Sequence, residues 1–523
     1  MINYRIVLED GYEVKGSRDG LCGEVRIVES LPVGKLASVT AELPLPLSGG
    51  EKIFMNGFQT WTYCPELGRN DRIRSLRHLP RPIVRHYGLD RYGDEYFVDY
   101  PQKKGVSHGE SWCYFRLGGH FRLIASLDER PGYTMLRYDA NRGMLYIRRD
   151  CEGVRCGGEF HAFDLYFAEG GEDEVFDGWF AAMGVKPRTS EKLTGYSSWY
   201  NRYQNISEKS IMDDLAGCAE VLSPGDLFQI DDGWERAIGD WDADTKKFPH
   251  GMKAAVDAIH EKGFKAGLWL APFVCQRSSD IMREHPEWLL RHDGDEWYCG
   301  CNWGGFFSLD IDEPECMNYL ERCFRRVFDE WGFDLVKLDF LYGAAPFGTE
   351  RESRAGRMIR AMEFLRRVCG DKLILGCGVP VMPAFGLVDY CRISCDVGLD
   401  WDDTWLMRQI HRERVSTRQA IGNSIFRREL NGRAYLSDPD VFFLRDENIK
   451  LTPEQKRTLA VVNALFGGLF LTSDNMGLYG AEAREFYKEL LRIRNAENVT
   501  VNADDGLSVG YELDGRQYSV KIE

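Results

Sequence analysis

The sequence has few of the features that place a chain in a membrane or on one. None of its apolar runs approaches the length needed to span a bilayer. Its first ten residues, MINYRIVLED, carry acids where a signal peptide has an apolar core, so we expect no secretory leader. Negative charge also exceeds positive charge, since the chain has 82 Asp and Glu but 66 Lys and Arg, which gives a net charge of −16. This balance argues against a nucleic-acid partner and against an anionic membrane surface.

The sequence also lacks a clear metal-binding motif. Cys151 and Cys156, or Cys299 and Cys301, could be interpreted as metal ligands. Neither pair is accompanied by a second pair of Cys or His residues at the usual spacing. We therefore expect no metal site.

The cysteines indicate the redox environment of the chain. There are 15 of them, an odd number for a large chain, and Cys377, Cys391 and Cys395 fall within predicted strands. This usage favours reduced thiols over a disulfide framework. It predicts a cytoplasmic enzyme.

The length of 523 residues predicts two to four domains, and the first is expected to be a β-sandwich over residues 1–185. Short runs there alternate in polarity or carry β-branched residues, as is typical of sandwich strands. These runs are residues 4–8, 24–28, 37–43, 122–126, 134–138, 144–148 and 160–168. The aromatic segment NGFQTWTYCPE, residues 56–66, does not alternate and is predicted to be a loop. Trp61 in this loop could belong to a local hydrophobic cluster or could stack on a sugar ring.

From residue 193 the chain alternates apolar strands with amphipathic helical stretches. The strand candidates are residues 194–199, 227–231, 265–270, 335–340, 373–377, 392–395, 434–436 and 469–472. The helical candidates between them include residues 209–221, 251–261, 314–331, 354–369 and 453–464. Eight such units predict a central (β/α)8 TIM barrel over residues 186–480. A doubly wound sheet is the main competitor, although no G-x-G-x-x-G opens a helix after the first strand. Residues 481–523 are expected to form a small C-terminal β domain.

The predicted strand at residues 335–340 contains two charges, Lys337 and Asp339, in an apolar run. Residues two apart on a strand lie on the same face, and a parallel barrel strand is normally apolar. The two could form a structural ion pair. Alternatively, Asp339 could be a catalytic carboxylate at the end of a barrel strand, with Lys337 tuning its ionisation.

Carboxylates and aromatic residues occur at the end of several other predicted strands. They include Ser198-Trp199-Tyr200, Asp231-Asp232, Trp269, Cys377, Arg392 with Asp396, and Asp438-Pro439-Asp440. Each could be a cap or a turn residue. Their joint placement on one rim, without a metal motif, favours carbohydrate chemistry, since glycosidases use two carboxyl groups that flank the scissile bond.

Several of these segments resemble one known family. LFQIDDGWERAIGDW, GLWLAPF, DLVKLDFLYGA, LILGCG and RISCDVG are similar to motifs of the family 36 glycoside hydrolases, the melibiase-type α-galactosidases. The resemblance runs through most of residues 193–475 and extends to NGFQTW in the N-terminal region. It implies a β-sandwich, a (β/α)8 barrel and a β domain. It also implies retaining hydrolysis of terminal α-galactosides without a cofactor.

The resemblance assigns a role to each matching residue. Asp339 would be the nucleophile and Asp396 the acid/base. The substrate-binding set would be Trp61, Trp199, Tyr200, Asp231, Asp232, Trp269, Lys337, Cys377 and Arg392. We expect Lys337 to favour the ionised form of Asp339 and Arg392 to face the sugar or another carboxylate. Two departures are the VGLDW that follows Asp396 and the short C-terminal region.

Other activities remain open at this stage. An α-N-acetylgalactosaminidase or a galactosyltransferring relative would use the same pair of carboxylates. The space beside the sugar 2-position, near Cys377 and Arg392, would discriminate between them. A non-catalytic sugar-binding module is disfavoured because Asp339 and Asp396 are both present. The expected partner is a small carbohydrate, and the sequence leaves the oligomeric state undetermined.

Overall fold

The computed structural model describes residues 1–100 and 102–522, apart from the side chain of His78. Its N-terminal part is an antiparallel sheet of eleven strands. The strands are β1 Ile2–Leu8, β2 Glu13–Arg18, β3 Gly23–Pro44, β4 Lys52–Met55, β5 Glu66–Leu67, β6 Val106–Glu110, β7 Trp112–Leu117, β8 His120–Ser126, β9 Tyr133–Asp139, β10 Met144–Asp150 and β11 Arg155–Gly170.

Two long strands organise this sheet. β3 pairs with β1 and β10 along one part of its length and with β11 along another, so it belongs to both halves of the sheet. Alternate residues such as Val25, Ile27 and Leu36 point into a buried apolar core, as the period of two in a β-strand requires. This antiparallel region confirms the all-β class expected for the N-terminal part.

The central part contains the parallel sheet that holds the predicted site. Its strands and the short accessory strands between them are β12 Leu193–Ser197, β13 Leu227–Ile230, β14 Glu235–Ala237, β15 Asp240–Ala243, β16 Lys265–Leu270, β17 Val274–Gln276, β18 Arg291–His292, β19 Asp295–Glu296, β20 Tyr298–Gly300, β21 Phe306–Ser308, β22 Leu335–Leu338, β23 Leu373–Gly376, β24 Tyr390–Arg392, β25 Leu436–Asp438, β26 Val441–Phe442 and β27 Leu469–Thr472. The nine strands of the parallel sheet follow the order β25-β24-β23-β22-β16-β13-β12-β27-β26.

The sheet closes through a seventh strand that is broken in two. β25 pairs with β24, and β26 pairs with β27, so the two ends of the sheet are consecutive pieces of chain. Pro439 and Asp440 form the break, and Asp440 has a φ of 74°. The (β/α)8 class is confirmed. The sixth and seventh strands lie at Tyr390–Arg392 and Leu436–Asp438, rather than at residues 392–395 and 434–436 as the sequence predicted.

Helices lie between the barrel strands and at two places in the N-terminal part. They are α1 Arg81–Tyr87, α2 Glu172–Met183, α3 Trp199–Arg202, α4 Glu208–Cys218, α5 Gly251–Glu261, α6 Asp280–Glu284, α7 Pro314–Arg325, α8 Arg354–Cys369, α9 Trp405–Ile410, α10 Thr417–Phe426, α11 Pro453–Phe466 and α12 Ala481–Ile493. The start of α11 shows how the sequence specifies where a helix begins. Thr452 caps its first turn, Pro453 occupies the first helical position, and Gln455 completes a capping box.

One of the eight predicted βα units lacks its α-helix. Between β23 and β24 the described chain forms only a 3₁₀ turn, Met382–Ala384. Phe385, which follows it, packs against Trp112 and against Trp179 and Phe180 of α2. The N-terminal part therefore covers the barrel wall that a fifth helix would otherwise protect. The loop at residues 56–66 contacts the same stretch through a bridge between Gln59 and Pro380.

The C-terminal part is a three-stranded antiparallel sheet. Its strands are β28 Glu497–Asn502, β29 Ser508–Leu513 and β30 Arg516–Lys521. Val509 and Tyr511 of β29 join the apolar core of the barrel. The predicted domain boundaries, 185/186 and 480/481, stay a prediction. No helix in the described part of the chain is long and apolar enough to cross a membrane.

Candidate active site

A cavity of about 390 Å³ opens at the carboxyl ends of the barrel strands. Catalytic residues of this fold lie on that face. Most of the residues selected from the sequence line the cavity, namely Trp61, Trp199, Asp231, Asp232, Trp269, Lys337, Asp339 and Asp396. Residues that lie as far apart in sequence as Trp61 and Asp396 thus share one site.

Three selected residues lie behind the cavity wall instead of lining it. The hydroxyl group of Tyr200 donates to Oδ2 of Asp440 at 2.6 Å. Cys377 is buried, and its Sγ accepts a hydrogen bond from Nε1 of Trp61 at 3.4 Å. The Arg392 guanidinium is buried among carboxylates. The expectation that these three contact the sugar directly finds no support in this geometry.

Asp339 follows the last residue of β22 and is held by the backbone and by a tryptophan. Its Oδ1 accepts from the backbone N–H of Phe340 at 2.8 Å, and its Oδ2 accepts from Nε1 of Trp269 at 3.2 Å. Phe340 has a φ of 52°, a left-handed conformation that is costly for a bulky residue and is typical of functional sites. Burial raises the pKa of the Asp339 carboxyl group, the Lys337 ammonium opposes this rise, and the Asp396 carboxylate adds to it.

Lys337 forms its ion pair with a different carboxylate from the one the sequence suggested. Its Nζ lies 2.9 Å from Oδ2 of Asp231, and both side chains are buried. Burial by itself would lower the pKa of Lys337, but the charges of Asp231 and Asp339 outweigh it and hold that pKa above its ordinary value. Lys337 favours the ionised form of Asp339 as expected, but through space rather than through a hydrogen bond.

Asp231 and Asp232 have different environments although they are neighbours. Besides Lys337, Oδ2 of Asp231 accepts from Gln229 at 2.9 Å and from Ser197 at 3.3 Å. Oδ2 of Asp232 accepts from Gln204 at 2.8 Å and from Trp303 at 3.0 Å. The Asp231 carboxylate is therefore bonded to buried groups of the barrel interior. Asp232 is bonded to Gln204 and Trp303, which line the cavity.

The turn after these two carboxylates requires glycine. Gly233 has a φ of 115°, and a Cβ atom there would lie 2.7 Å from Cα of Gln204. A side chain would therefore push away the segment that supplies Gln204 to Asp232. The DDG sequence is explained by this close approach, as well as by its general preference for turns.

Asp396 is the more exposed of the two candidate catalytic carboxylates, with about 40% of its side chain accessible. Its Oδ1 accepts from Nη1 of Arg392 at 2.8 Å. The same guanidinium bonds Asp438 at 3.0 Å and Asp440 at 2.9 Å. We expected Arg392 to face the sugar or another carboxylate. It does bond other carboxylates, but it also bonds Asp396 itself.

Trp61 reaches the cavity on a loop that is fixed from the barrel side. Arg427, at the end of α10, is fully buried and donates to the backbone oxygens of Thr60 at 2.8 Å and Gln59 at 3.2 Å. It also donates to Oδ1 of Asn56 at 2.9 Å. The half-buried ring of Trp61 makes edge contacts with Phe340 and Tyr342.

Several cavity residues were not found from the sequence. They are Tyr92, Gln204, Trp303, Phe306, Phe340, Tyr342 and Glu413, among others. Trp303 lies in an Asn-Trp-Gly-Gly turn and has a φ of 53°, so its glycine-rich setting was a weak signal. Glu413 accepts a hydrogen bond from Thr62 at 2.9 Å, and burial raises its pKa to about 7. Nothing in the sequence near Glu413 indicated this placement.

Over residues 1–100 and 102–522, no group of three or more His, Cys, Asp or Glu residues is arranged to hold a metal ion. The cavity is lined by carboxylates, aromatic rings and Lys337, together with Gln204, Asn302, Cys299, Cys395 and Val415. Two carboxylates with distinct partners suit acid, base and nucleophilic chemistry at a sugar, and aromatic faces suit the sugar ring itself.

The barrel region matches a known family model. Residues 193–363, about a third of the chain, match the family model of Melibiase. The matched segment includes Asp231, Asp232, Trp269, Lys337 and Asp339.

Curated relatives that match this chain are named α-galactosidases. The Escherichia coli α-galactosidase is 29% identical over 177 residues, which cover 32% of this chain and 24% of the relative. Mel36A of Lactobacillus acidophilus is 29% identical over 153 residues, covering 27% of this chain and 20% of the relative. The matched segments therefore span about a quarter or less of these relatives.

Similarity to solved structures extends beyond residues 193–363 to most of the chain. The α-galactosidase of Thermus thermophilus, solved with p-nitrophenyl α-D-galactopyranoside, has a TM-score of 0.75 and 25% identity. The match covers 95% of this chain and 98% of that one. AgaA of Geobacillus stearothermophilus, at 14% identity and a TM-score of 0.62, shares the fold over 97% of this chain and 80% of its own.

Proposed function

We propose that this protein is a retaining α-galactosidase that hydrolyses terminal non-reducing α-D-galactosyl residues of galacto-oligosaccharides by double displacement. The observation that carries the proposal is the meeting of Asp339 and Asp396 in one cavity at the barrel rim. The names of the relatives and the near full-length likeness to the Thermus thermophilus α-galactosidase support it. That enzyme was also solved with stachyose.

In the first step Asp339 attacks the anomeric carbon and forms a carboxylate ester with the galactosyl group. Asp396 donates a proton to the glycosidic oxygen, so the leaving group departs as an alcohol. In the second step Asp396 removes a proton from water, and the resulting hydroxide displaces Asp339. Two inversions at the same carbon return the α configuration.

The surroundings of the two carboxylates fit these roles. Asp339 is fixed by the Phe340 N–H and by Trp269, which holds a nucleophile in one orientation. Asp396 is more exposed, and its Oδ1 accepts from the Arg392 guanidinium. An accessible carboxyl group can exchange a proton with the glycosidic oxygen and with water. Lys337 supplies positive charge beside the nucleophile.

We assign the remaining cavity residues to substrate binding. Asp232 would accept hydrogen bonds from sugar hydroxyl groups, and the tryptophans would pack on the ring. Asp231 lines the cavity and would hold Lys337 there. Cys377, Tyr200 and Arg392 would act from behind this layer by holding the residues that touch the sugar. No cofactor is required by this reaction.

Trp61 packs closely against Cys377 and Gly378. Nε1 of Trp61 reaches Sγ of Cys377, and a Cβ atom on Gly378 would lie 2.8 Å from Cζ2 of Trp61. An α-N-acetylgalactosaminidase remains the alternative that the assay below excludes or supports.

The setting of the enzyme is also a proposal. All fifteen cysteines lie in the described part of the chain and are free thiols. Free thiols support the cytoplasmic location expected from the sequence. The proposed partner is a small α-galactoside, with no nucleic acid or membrane involved.

Turnover of three aryl glycosides tests the proposal. We expect hydrolysis of aryl α-galactoside, with α-galactose as the first product seen by proton NMR. Aryl α-N-acetylgalactosaminide and aryl α-glucoside should be poor substrates. Preference for the acetamido sugar would support the alternative, and β-galactose as first product would contradict a retaining mechanism.

A further inference from the structure

Glu235 is a buried carboxyl group beside the cavity that the reaction as described does not use. It begins β14 and is only 7% exposed. The turn at Gly233 brings it back toward Asp232, and its Oε2 accepts from the Gly233 N–H at 3.2 Å. Its side chain lies within hydrogen-bonding reach of the Asp232 carboxylate.

Asp232 needs a hydrogen-bond donor on one of its oxygens. Oδ2 has two donors, Gln204 and Trp303. Oδ1 is buried and has no hydrogen-bond donor among the described residues. A buried carboxylate oxygen without a partner is costly, and a protonated carboxyl group is a donor. A proton on Glu235 would therefore satisfy Oδ1 of Asp232.

The charges around Glu235 agree with this arrangement. Burial raises the pKa of Glu235 well above its ordinary value, and the negative charge of Asp232 adds to the rise. The nearby cations are engaged elsewhere. Lys247 donates to the carbonyl oxygens of Gly233 and Gln204, Lys337 pairs with Asp231, and Arg236 pairs with Asp240 and Asp280.

We infer that Glu235 is a positioning residue whose protonated carboxyl group donates a hydrogen bond to Oδ1 of Asp232 and fixes Asp232 for binding galactose. This inference rests on the proposed function for the identity of the sugar. In this arrangement one proton lies between the two carboxyl groups. Loss of that proton places two negative charges side by side and weakens the binding of a neutral sugar.

Two substitutions separate the hydrogen bond from the bulk of the side chain. Glu235→Gln keeps the shape and an N–H donor, whereas Glu235→Ala removes both. Glu129→Gln is the matched control, because Glu129 is also buried with a raised pKa of about 7 but lies in the N-terminal sheet region. Calorimetry gives the dissociation constant of galactose across the pH range in which each variant stays folded.

We expect Glu235→Ala to weaken galactose binding about tenfold or more, and Glu235→Gln to stay near wild type. Wild-type binding should weaken as the pH rises, while Glu235→Gln should lack this dependence. An infrared difference spectrum, wild type minus Glu235→Gln, should show the carbonyl band of a protonated carboxylic acid at neutral pH. Glu129→Gln should leave the galactose dissociation constant unchanged.

Unchanged galactose binding in folded Glu235→Ala would overturn the inference, and so would a missing carboxylic-acid band. Identical pH dependence in wild type and Glu235→Gln would also overturn it. These results would leave the galactosidase proposal intact if wild type still hydrolyses aryl α-galactoside. If wild type neither binds galactose nor cleaves the galactoside, the proposed function fails, and the infrared band still decides whether Glu235 holds the proton.

Discussion

Asp339 and Asp396 face one cavity from contrasting environments. Asp339 is 8% exposed and bonded to Phe340 and Trp269, whereas Asp396 is more open and shares Arg392 with two other carboxylates. Environments that differ in this way allow two carboxyl groups to perform different tasks. The assignment of nucleophile and acid/base follows from this contrast and from the family motifs.

Alanine variants of the two residues should fail at different steps. Asp339→Ala loses the covalent step, while Asp396→Ala should still react in the first step with a good leaving group, which needs little protonation. Azide should restore turnover by Asp396→Ala. The product should be α-galactosyl azide, because azide attacks a β-linked intermediate. It should give β-galactosyl azide with Asp339→Ala by direct attack. Product NMR distinguishes the two.

Wild type in the presence of azide is the control for these reactions. Full activity of Asp396→Ala on a poor leaving group would show that another residue supplies the proton. Azide products of the same anomeric configuration from both variants would contradict the division of roles.

Asp231 and Asp232 should respond differently to removal. Asp231→Ala leaves the buried Lys337 ammonium unpaired, which should cost about 3–5 kcal/mol of unfolding free energy. Asp232→Ala should mainly lower kcat/KM for aryl α-galactoside, about tenfold or more, because a charged acceptor is lost. Neither variant should cleave aryl α-glucoside as fast as wild type cleaves the galactoside. Urea unfolding and steady-state kinetics of both variants measure this.

Equal stability of the two variants would show that the Lys337–Asp231 pair is not the structural one. If Asp232→Ala discriminates between galactoside and glucoside as strongly as wild type does, Asp232 does not determine the choice of sugar.

At the scale of elements, the broken seventh strand builds the support for Asp396. Asp438 ends its first half and Asp440 lies in the break, and both accept hydrogen bonds from Arg392. Oδ2 of Asp440 also accepts from the N–H of Val397, beside Asp396. The loop that carries Asp396 is thus tied to the broken seventh strand.

The loop that carries Trp61 offers a test at the same scale. Trp61→Ala should raise KM for aryl α-galactoside with little loss of stability, since the ring is only half buried. Arg427→Lys should both raise KM and lower the unfolding free energy by about 3 kcal/mol or more, because several buried carbonyl oxygens lose their donor. KM and the midpoint of urea unfolding are measured for each. An unchanged KM with a lower midpoint in Trp61→Ala would make Trp61 a core residue.

The sequence was sufficient for the kind and order of most elements. The apolar runs before Asp231 and around Trp269 and Lys337 predicted barrel strands to within a residue or two. The missing fifth helix and the broken seventh strand were not predictable. The first depends on cover from Phe180 and its neighbours in another part of the chain. The second depends on the pairing partners of each half of the strand.

The sequence predicted only those residues of the candidate site that lie in recognisable local motifs. Asp339 and Asp396 carry strand-end and family signals. Glu235 lies within the LFQIDDGWERAIGDW motif but was assigned no role, and Glu413 lies in none of the matching motifs. Their placement results from a turn and from packing against the residue 56–66 loop. The partner of Lys337 was misjudged for the same reason. Spacing along one strand cannot reveal which neighbouring strand supplies the closer carboxylate.

At the scale of the whole molecule, one apolar core joins the N-terminal sheet to the barrel. Trp112, Trp179 and barrel residues such as Phe385 pack in a single cluster. Glu429 lies at this junction, is buried, and accepts from Nε1 of Trp112 at 3.3 Å. Burial raises the pKa of Glu429 to about 7, against the opposing charge of Arg428.

This junction makes stability depend on pH in a defined direction. A carboxyl group whose pKa is raised on folding stabilises the fold fully below its unfolded pKa, and the effect is lost as the pH rises through the folded pKa. Glu429→Gln cannot ionise, so it should gain stability over wild type between about pH 5 and pH 8, by up to about 3 kcal/mol. The midpoint of urea unfolding at each pH measures the gain.

Glu9→Gln in an exposed turn is the control for a glutamate-to-glutamine change and should show no such trend. A stability difference between Glu429→Gln and wild type that stays constant with pH would show that Glu429 does not change its proton affinity on folding.

Trapping the covalent intermediate tests the central claim most directly. A 5-fluoro-α-D-galactosyl fluoride has a good leaving group for the first step, and its ring fluorine slows the second, so the galactosyl ester should accumulate. Mass spectrometry of the intact protein should show one added fluorogalactosyl group, and peptide fragmentation should place it on Asp339. Label on another carboxylate, or turnover of aryl α-galactoside without any label, would contradict Asp339 as the nucleophile of a retaining α-galactosidase.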